Sequence, residues 1–213
     1  MTEYMTEQEQ IAILKTWIKQ YSLVILAGML IAVTVISSWR YWQQRQQNTL
    51  SHASAIYDEM LASRAQNDKA ALVHAKKLLE HYPETTYGEM AALMMAREAI
   101  IKKNDAEAET ELNSVLNHSN IHFLRQIARL RLARLHIAEQ KPNDALNELK
   151  TVEDKSFMGL IDEVRGDAFL ALKDTTHARE SYKQALAELP NAEVIRPILR
   201  MKYDNLAVYP TAS

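Results

Sequence analysis

Cysteine is absent from this chain of 213 residues, and glycine (4) and proline (5) are scarce. Without cysteine there is no disulfide framework, no thiol nucleophile and no residue to carry a lipoprotein anchor. The same absence is compatible with an oxidising exterior without demonstrating one. So little Gly and Pro disfavours an all-β fold, which needs many tight turns. No Gly-rich phosphate loop, H-E-x-x-H pair or G-x-S-x-G elbow occurs anywhere, so enzymatic chemistry has no residue to attach to. No cofactor and no catalytic or metal site is expected. The charge excludes a further class: the first 20 residues carry two Lys and three Glu, leaving −1 of the net −2 for the rest. Acidic and basic residues are interspersed there, which leaves no electrostatic footprint for nucleic acid.

What the chain does have is one long uncharged run, from Tyr21 to Trp39, between Lys19 and Arg40. As a helix its 19 residues span about 28 Å, close to the roughly 30 Å of a bilayer core. Tyr21 stands at one edge and Trp39, Tyr41 and Trp42 at the other, where amphipathic rings favour the headgroup layer. A buried core helix and a cleaved signal peptide are the alternatives. Against cleavage, the preceding residues include Glu3, Glu7 and Glu9 rather than a short basic stretch, and Val35 to Arg40 offers no clean small-x-small site. The expected organisation is a tail over 1–20, an anchor with its aromatic flank over 21–42 and a helical stalk over 43–51. Lys15 and Lys19 nearly balance Arg40 and Arg45, so flanking charge does not orient the anchor. A short tail inside and a long translocated C-terminal domain is the ordinary arrangement for a signal anchor.

Beyond the stalk the dominant residues are good helix formers, and a repeat emerges. Gly166, Phe169, Ala178, Tyr182, Ala185 and Pro190 have the offsets of a tetratricopeptide unit: small and aromatic on helix A, small, aromatic and small on helix B, then proline. Sliding back 33 residues gives Ala133, His136, Ala145, Leu149, Val152 and Phe157. A further 37 gives Ala96, Ala99, Ala108, Leu112, Val115 and Asn120, and another 37 the degenerate Glu59, Ala62, Ala71, Ala75, Leu78 and Pro83. A polar cluster suited to helix capping precedes each helix B: Asn67-Asp68, Asn104-Asp105, Asn143-Asp144 and Asp174-Thr175-Thr176. The expected fold is all-α, four helical hairpins at about 52–88, 89–125, 126–158 and 159–190. Over 191–213 a capping helix and tail follow, with Val194, Ile195, Ile198, Leu199 and Leu206 apolar and Pro197 near the first turn. An irregular α-bundle with accidental matches is the alternative.

His118 and His122 are four apart, as helical metal ligands are, but they lie in a turn with no adjacent carboxylate and read as solvated. His136 occupies an aromatic position and reads as packing. A binding surface is easier to motivate than a reactive one. On helix A of each unit the concave-face places fall on Ile56 and Met60, then Met90, Leu93, Arg97 and Ile100. They continue through Ile127, Leu130, Arg134 and Ile137 to Leu160, Glu163, Asp167 and Leu170. This stripe is largely aliphatic, lacks a carboxylate clamp, and suits varied apolar partners. Core between neighbouring helices is an equally good reading of several of these residues.

With anchor and repeats placed, the chain resembles the YfgM family, ancillary subunits of the bacterial SecYEG translocon. The resemblance is carried by Trp39-Arg40-Tyr41-Trp42, Arg129-Leu130-Arg131-Leu132-Ala133-Arg134, Asp162-Glu163-Val164-Arg165-Gly166-Asp167 and Met201-Lys202-Tyr203-Asp204-Asn205-Leu206. It implies a single-pass inner-membrane protein, N-terminus cytoplasmic and repeat domain periplasmic. It implies partnership with SecYEG and a PpiD-like periplasmic chaperone, and assistance to unfolded secretory proteins as they emerge. A scaffold subunit of another envelope assembly, for secretion or cytochrome maturation, is the second reading.

Overall fold

The structure is a computed structural model that describes residues 7–64, 68–151, 154–191 and 195–206. Among the described residues every regular element is helical. The order is α1 (Glu7–Arg64), α2 (Asp68–His81), α3 (Thr86–Ile101), α4 (Asp105–His118), α5 (His122–Ala138) and α6 (Pro142–Glu148). A short 3-10 turn (Lys155–Phe157) then leads into α7 (Met158–Ala171), α8 (Thr175–Glu188) and α9 (Pro197–Asn205).

Two compact units result, 1–52 and 53–213. In the first, the side chains of the apolar run from Leu23 to Trp39 are exposed wherever they are described. Aromatic pairs bracket that run, Trp17 with Tyr21 and Trp39 with Trp42, each with ring centroids 5.5 Å apart. No single helix among the described residues is long and apolar enough to cross a membrane. One bent pair, Ile11–Val24 with Leu26–Arg64 at 50°, passes by length and composition together.

The second unit is a layered stack, and alanine explains why its helices approach closely. Ala71, Ala75, Ala96, Ala108, Ala133, Ala145, Ala168, Ala178 and Ala185 are all fully buried. Each interior helix A is shared between two layers of core. Helix α3 gives Ala91, Met94 and Met95 to a cluster with Ile56, Met60, Ala71 and Leu78, and Ala92, Leu93 and Ala96 to one with Leu112 and Leu132. Helix α5 in turn adds Leu130 and Ala133 to a cluster with Leu149, Phe157, Ile161 and Val164. No hairpin could bury both faces alone, which is the logic of a solenoid. The degenerate first unit departs from the others: Glu59 and Ala62 are exposed, and Ala53, Ile56 and Met60 do the packing.

Capping follows the sequence at two of the four sites. Asn104 accepts from the Glu107 amide (3.4 Å) while donating to its carboxylate (2.7 Å), and Asp174 accepts from the His177 amide at 3.1 Å. At the third site Asn143-Asp144 does not cap: Lys141 takes the cap position without a side-chain bond, and Pro142 starts the helix. Proline is pre-organised for that place, and its missing N–H is one of the amides left over there. Asn67 of the first cluster lies outside the described residues, as do Val152 and Val194.

The turns between paired helices share a device that composition hides. Lys103, Gln140 and Lys173 adopt left-handed backbone, with φ of 58°, 65° and 64°. In each the next residue's amide reaches back to close the helix: Asn104 to the Ala99 carbonyl, Lys141 to His136, Asp174 to Phe169, at 2.8–2.9 Å. This double closure satisfies carbonyls that a helix end leaves over.

Helix α9 covers the end of the stack through Leu199, fully buried with Ala178, Tyr182 and Ala185, and through Tyr203 and Leu206 beside them. The sequence placed Ile195 and Ile198 on that face as well. They are 69% and 67% exposed: Leu199, Tyr203 and Leu206 at helical spacing turn Ile198 outward, and Ile195 precedes the helix, which starts at Pro197.

Candidate functional site

The helix A stripe separates into three kinds of residue once it is folded. Ile56, Met60, Leu93 and Leu130 are core, between 2% and 7% exposed, because neighbouring hairpins close over them. Met90, Ile127, Ile137 and Leu160 are half-buried at the edge of that core. Arg97, Ile100, Arg134 and Leu170 reach solvent. The accessible surface is thus less aliphatic than the sequence suggests, since its most apolar members hold the repeats together.

The fourth-unit part of the stripe is occupied from within the chain. Arg196 pairs with Glu163, and Lys202 donates to Asp167 at 2.6 Å. The Tyr182 hydroxyl donates to the same Asp167 oxygen at 2.8 Å. Its burial and that carboxylate together hold the Tyr182 phenol well above its ordinary value. Arg179 lies 4.3 Å from the Tyr203 ring centroid and donates to its hydroxyl at 2.9 Å. Glu163 and Asp167 therefore fasten the end of the solenoid rather than standing open to a partner.

The middle of the stripe is basic. Arg131 on α5 crosses to α3, its Nη1 donating to the Leu93 carbonyl at 2.9 Å. Arg134 follows it by three residues on α5, and Arg97 follows Leu93 by four on α3. Burial first, then the like charges of Arg134 and Arg97, push the Arg131 guanidinium below its ordinary value. Arg97 pairs with Glu98 at 3.0 Å. Arg131 is a residue the positional rule missed; its signal was the Arg129-to-Arg134 stretch, where arginines alternate with packing residues.

The histidines behave as local structure. His118 Nδ1 lies 3.0 Å from the Ser114 carbonyl, and His122 Nδ1 2.6 Å from Arg125. His136 is buried, 3.5 Å from Glu139. Among the described residues no group of three or more His, Cys, Asp or Glu is placed to hold a metal ion. A buried polar contact, Ser119 Oγ donating to Glu89 at 2.8 Å, ties the end of α4 to α3 within the second hairpin.

Comparison with known proteins extends this picture to the whole chain. Residues 15–208 match the family model described as a tetratricopeptide repeat-like domain. A protein named ancillary SecYEG translocon subunit from Haemophilus influenzae is 29% identical over 200 residues, 94% of this chain and 97% of its own. Proteins of the same name from Escherichia coli and Neisseria gonorrhoeae are 24% and 25% identical, covering 98% and 97% of this chain and all of theirs. No solved structure matches. A repeat stack whose family model runs from residue 15 to 208, with full-length relatives sharing one name, places the chain in the tetratricopeptide repeat-like domain family and, within it, among the YfgM proteins.

Proposed function

We propose that this protein is a non-enzymatic, membrane-anchored adaptor that associates with the SecYEG translocon. The observation that carries the reading is the near-complete coverage shared with three proteins named for that association. The fold supports it: a stack of helical hairpins buries its reactive-looking side chains in packing and capping and offers an extended face for another protein. The first 52 residues support the anchor, since exposed apolar side chains from Leu23 to Trp39 suit hydrocarbon and the aromatic pairs at either end suit the headgroup layer.

In this reading residues 21–39 cross the inner membrane once, the N-terminus faces the cytoplasm, and the repeats work in the periplasm. There they meet a PpiD-like chaperone and secretory proteins as they emerge. Orientation rests on the family resemblance, because the flanking charges are balanced. Affinity purification of the full chain in mild detergent, followed by mass spectrometry, tests the assignment. SecY should be recovered together with a membrane-anchored periplasmic chaperone; recovery of a different envelope complex without SecY overturns it. Protease added to spheroplasts should digest the repeats. Protection of everything beyond Arg45 until lysis overturns the orientation.

A further inference from the structure

We propose that Arg97, Arg131 and Arg134 form an anion-recognising subsite on the helix A face. Its ligand is a run of acidic residues in an extended, apolar-flanked segment of a partner protein. The inference rests on the reading of the repeats as a docking domain and names the chemistry of what docks.

The geometry is a seam between two hairpins. Arg131 spans it, fixed by its bond to the Leu93 carbonyl at 2.9 Å, and Arg97 and Arg134 stand one turn along on either side. A solvated basic face ordinarily spreads its charges and pairs them. Here a half-buried guanidinium is held beside two others, and the charges nearest at hand are already engaged. Glu98 is taken by Arg97. Glu163 and Asp167, one hairpin on, are taken by Arg196 and Lys202. The arrangement leaves Arg134 with no ion pair among the described residues and the seam with a positive excess. Guanidinium groups match carboxylates two bonds at a time, which makes such a cluster selective as well as attractive. Met90 and Ile127, half-buried on the same stripe, supply apolar contact next to it. Charge complementarity thus favours an acidic segment with aliphatic neighbours over a purely apolar one.

The test uses the full chain in nanodiscs of neutral lipid, with fluorescent peptides built from Glu and Leu or from Gln and Leu. At low salt the Glu peptide should bind at least about fivefold tighter by anisotropy, and the gap should narrow as salt shortens the screening length to about 3 Å. Arg97→Gln with Arg134→Gln should abolish the gap without moving the melting temperature, since both residues are exposed. Arg134→Gln alone should halve it or more. Equal binding of the two peptides overturns the subsite, as does a preference that survives the double variant. Translocon recovery from membranes is scored separately. If it fails while arginine-dependent peptide preference persists, the adaptor reading falls and the subsite stands.

Discussion

The ring of Tyr182 lies against Gly166 so closely that a Cβ at residue 166 would sit 2.4 Å from its Cε1. This contact joins α7 to α8, the most extensively packed pair in the stack, and it leaves room for nothing larger than hydrogen. Tyr182 cannot swing away: it is fully buried and its hydroxyl is held by Asp167. Gly166→Ala should therefore destabilise the repeat domain by about 1–3 kcal/mol despite alanine's better helix propensity. Adding Tyr182→Leu should cost less in the Gly166→Ala background than alone, because the smaller side chain relieves the clash. Denaturant melts of the four proteins in that cycle give the coupling directly.

The left-handed turns give a prediction of opposite sign. Lys103 and Lys173 carry a Cβ where the backbone favours glycine. Lys103→Gly and Lys173→Gly should each stabilise by about 0.5–1 kcal/mol, read as a rise of roughly 1–4 °C in melting temperature. A drop in either would mean that the lysine side chain contributes more than its strained backbone costs.

Much of the fold was legible because packing and capping leave marks in composition. Ala108, Ala145 and Ala178 read as close-approach sites and are fully buried; Asn104 and Asp174 read as caps and are caps. The positional rule for helix A residues was less informative. It knows spacing but not which neighbours close over a side chain, so it grouped the buried Leu93 and Leu130 with the exposed Arg97 and Arg134. The left-handed residues escaped notice because lysine and glutamine are unusual there. Only their place just before each helix B, at the repeat's own spacing, could have revealed them. Arg196 and Lys202 were equally hidden, since nothing local says that they reach Glu163 and Asp167.

Acid should weaken the start of α8. The His177 amide donates to the Asp174 carboxylate, which holds that carboxyl below its ordinary value. The unfolded chain then binds the proton more readily, so the cap's contribution is complete above the unfolded pKa of about 4 and is lost as pH falls through the lower folded value. Asp174→Asn keeps an acceptor oxygen but does not titrate. The melting-temperature gap between wild type and this variant should therefore be constant above about pH 5 and close as pH falls from there through the lower folded value. A gap constant with pH would assign the cap's contribution to geometry alone.

The end of the stack separates two leucine-like residues by exposure. Leu199 is fully buried and Ile198 is 67% exposed. Leu199→Ala should cost about 2–4 kcal/mol, whereas Ile198→Ala should stay within about 0.5 kcal/mol of wild type. Comparable losses at both sites would show that α9 sits in another register on α8.

The same contrast decides how the helix A face should be probed for binding. Leu93 and Leu130 are core, so Leu93→Glu or Leu130→Glu places an unpaired carboxylate among buried alkyl groups and should unfold the domain. Loss of a partner in those variants says nothing about the surface. Ile100 is 40% exposed and carries the question without that confusion. Ile100→Glu should leave helical circular dichroism and melting intact while recovery of the membrane partner falls, because a charge then interrupts the apolar edge beside Arg97. Partner recovery unchanged in this variant, with the fold intact, would remove that edge from the binding surface.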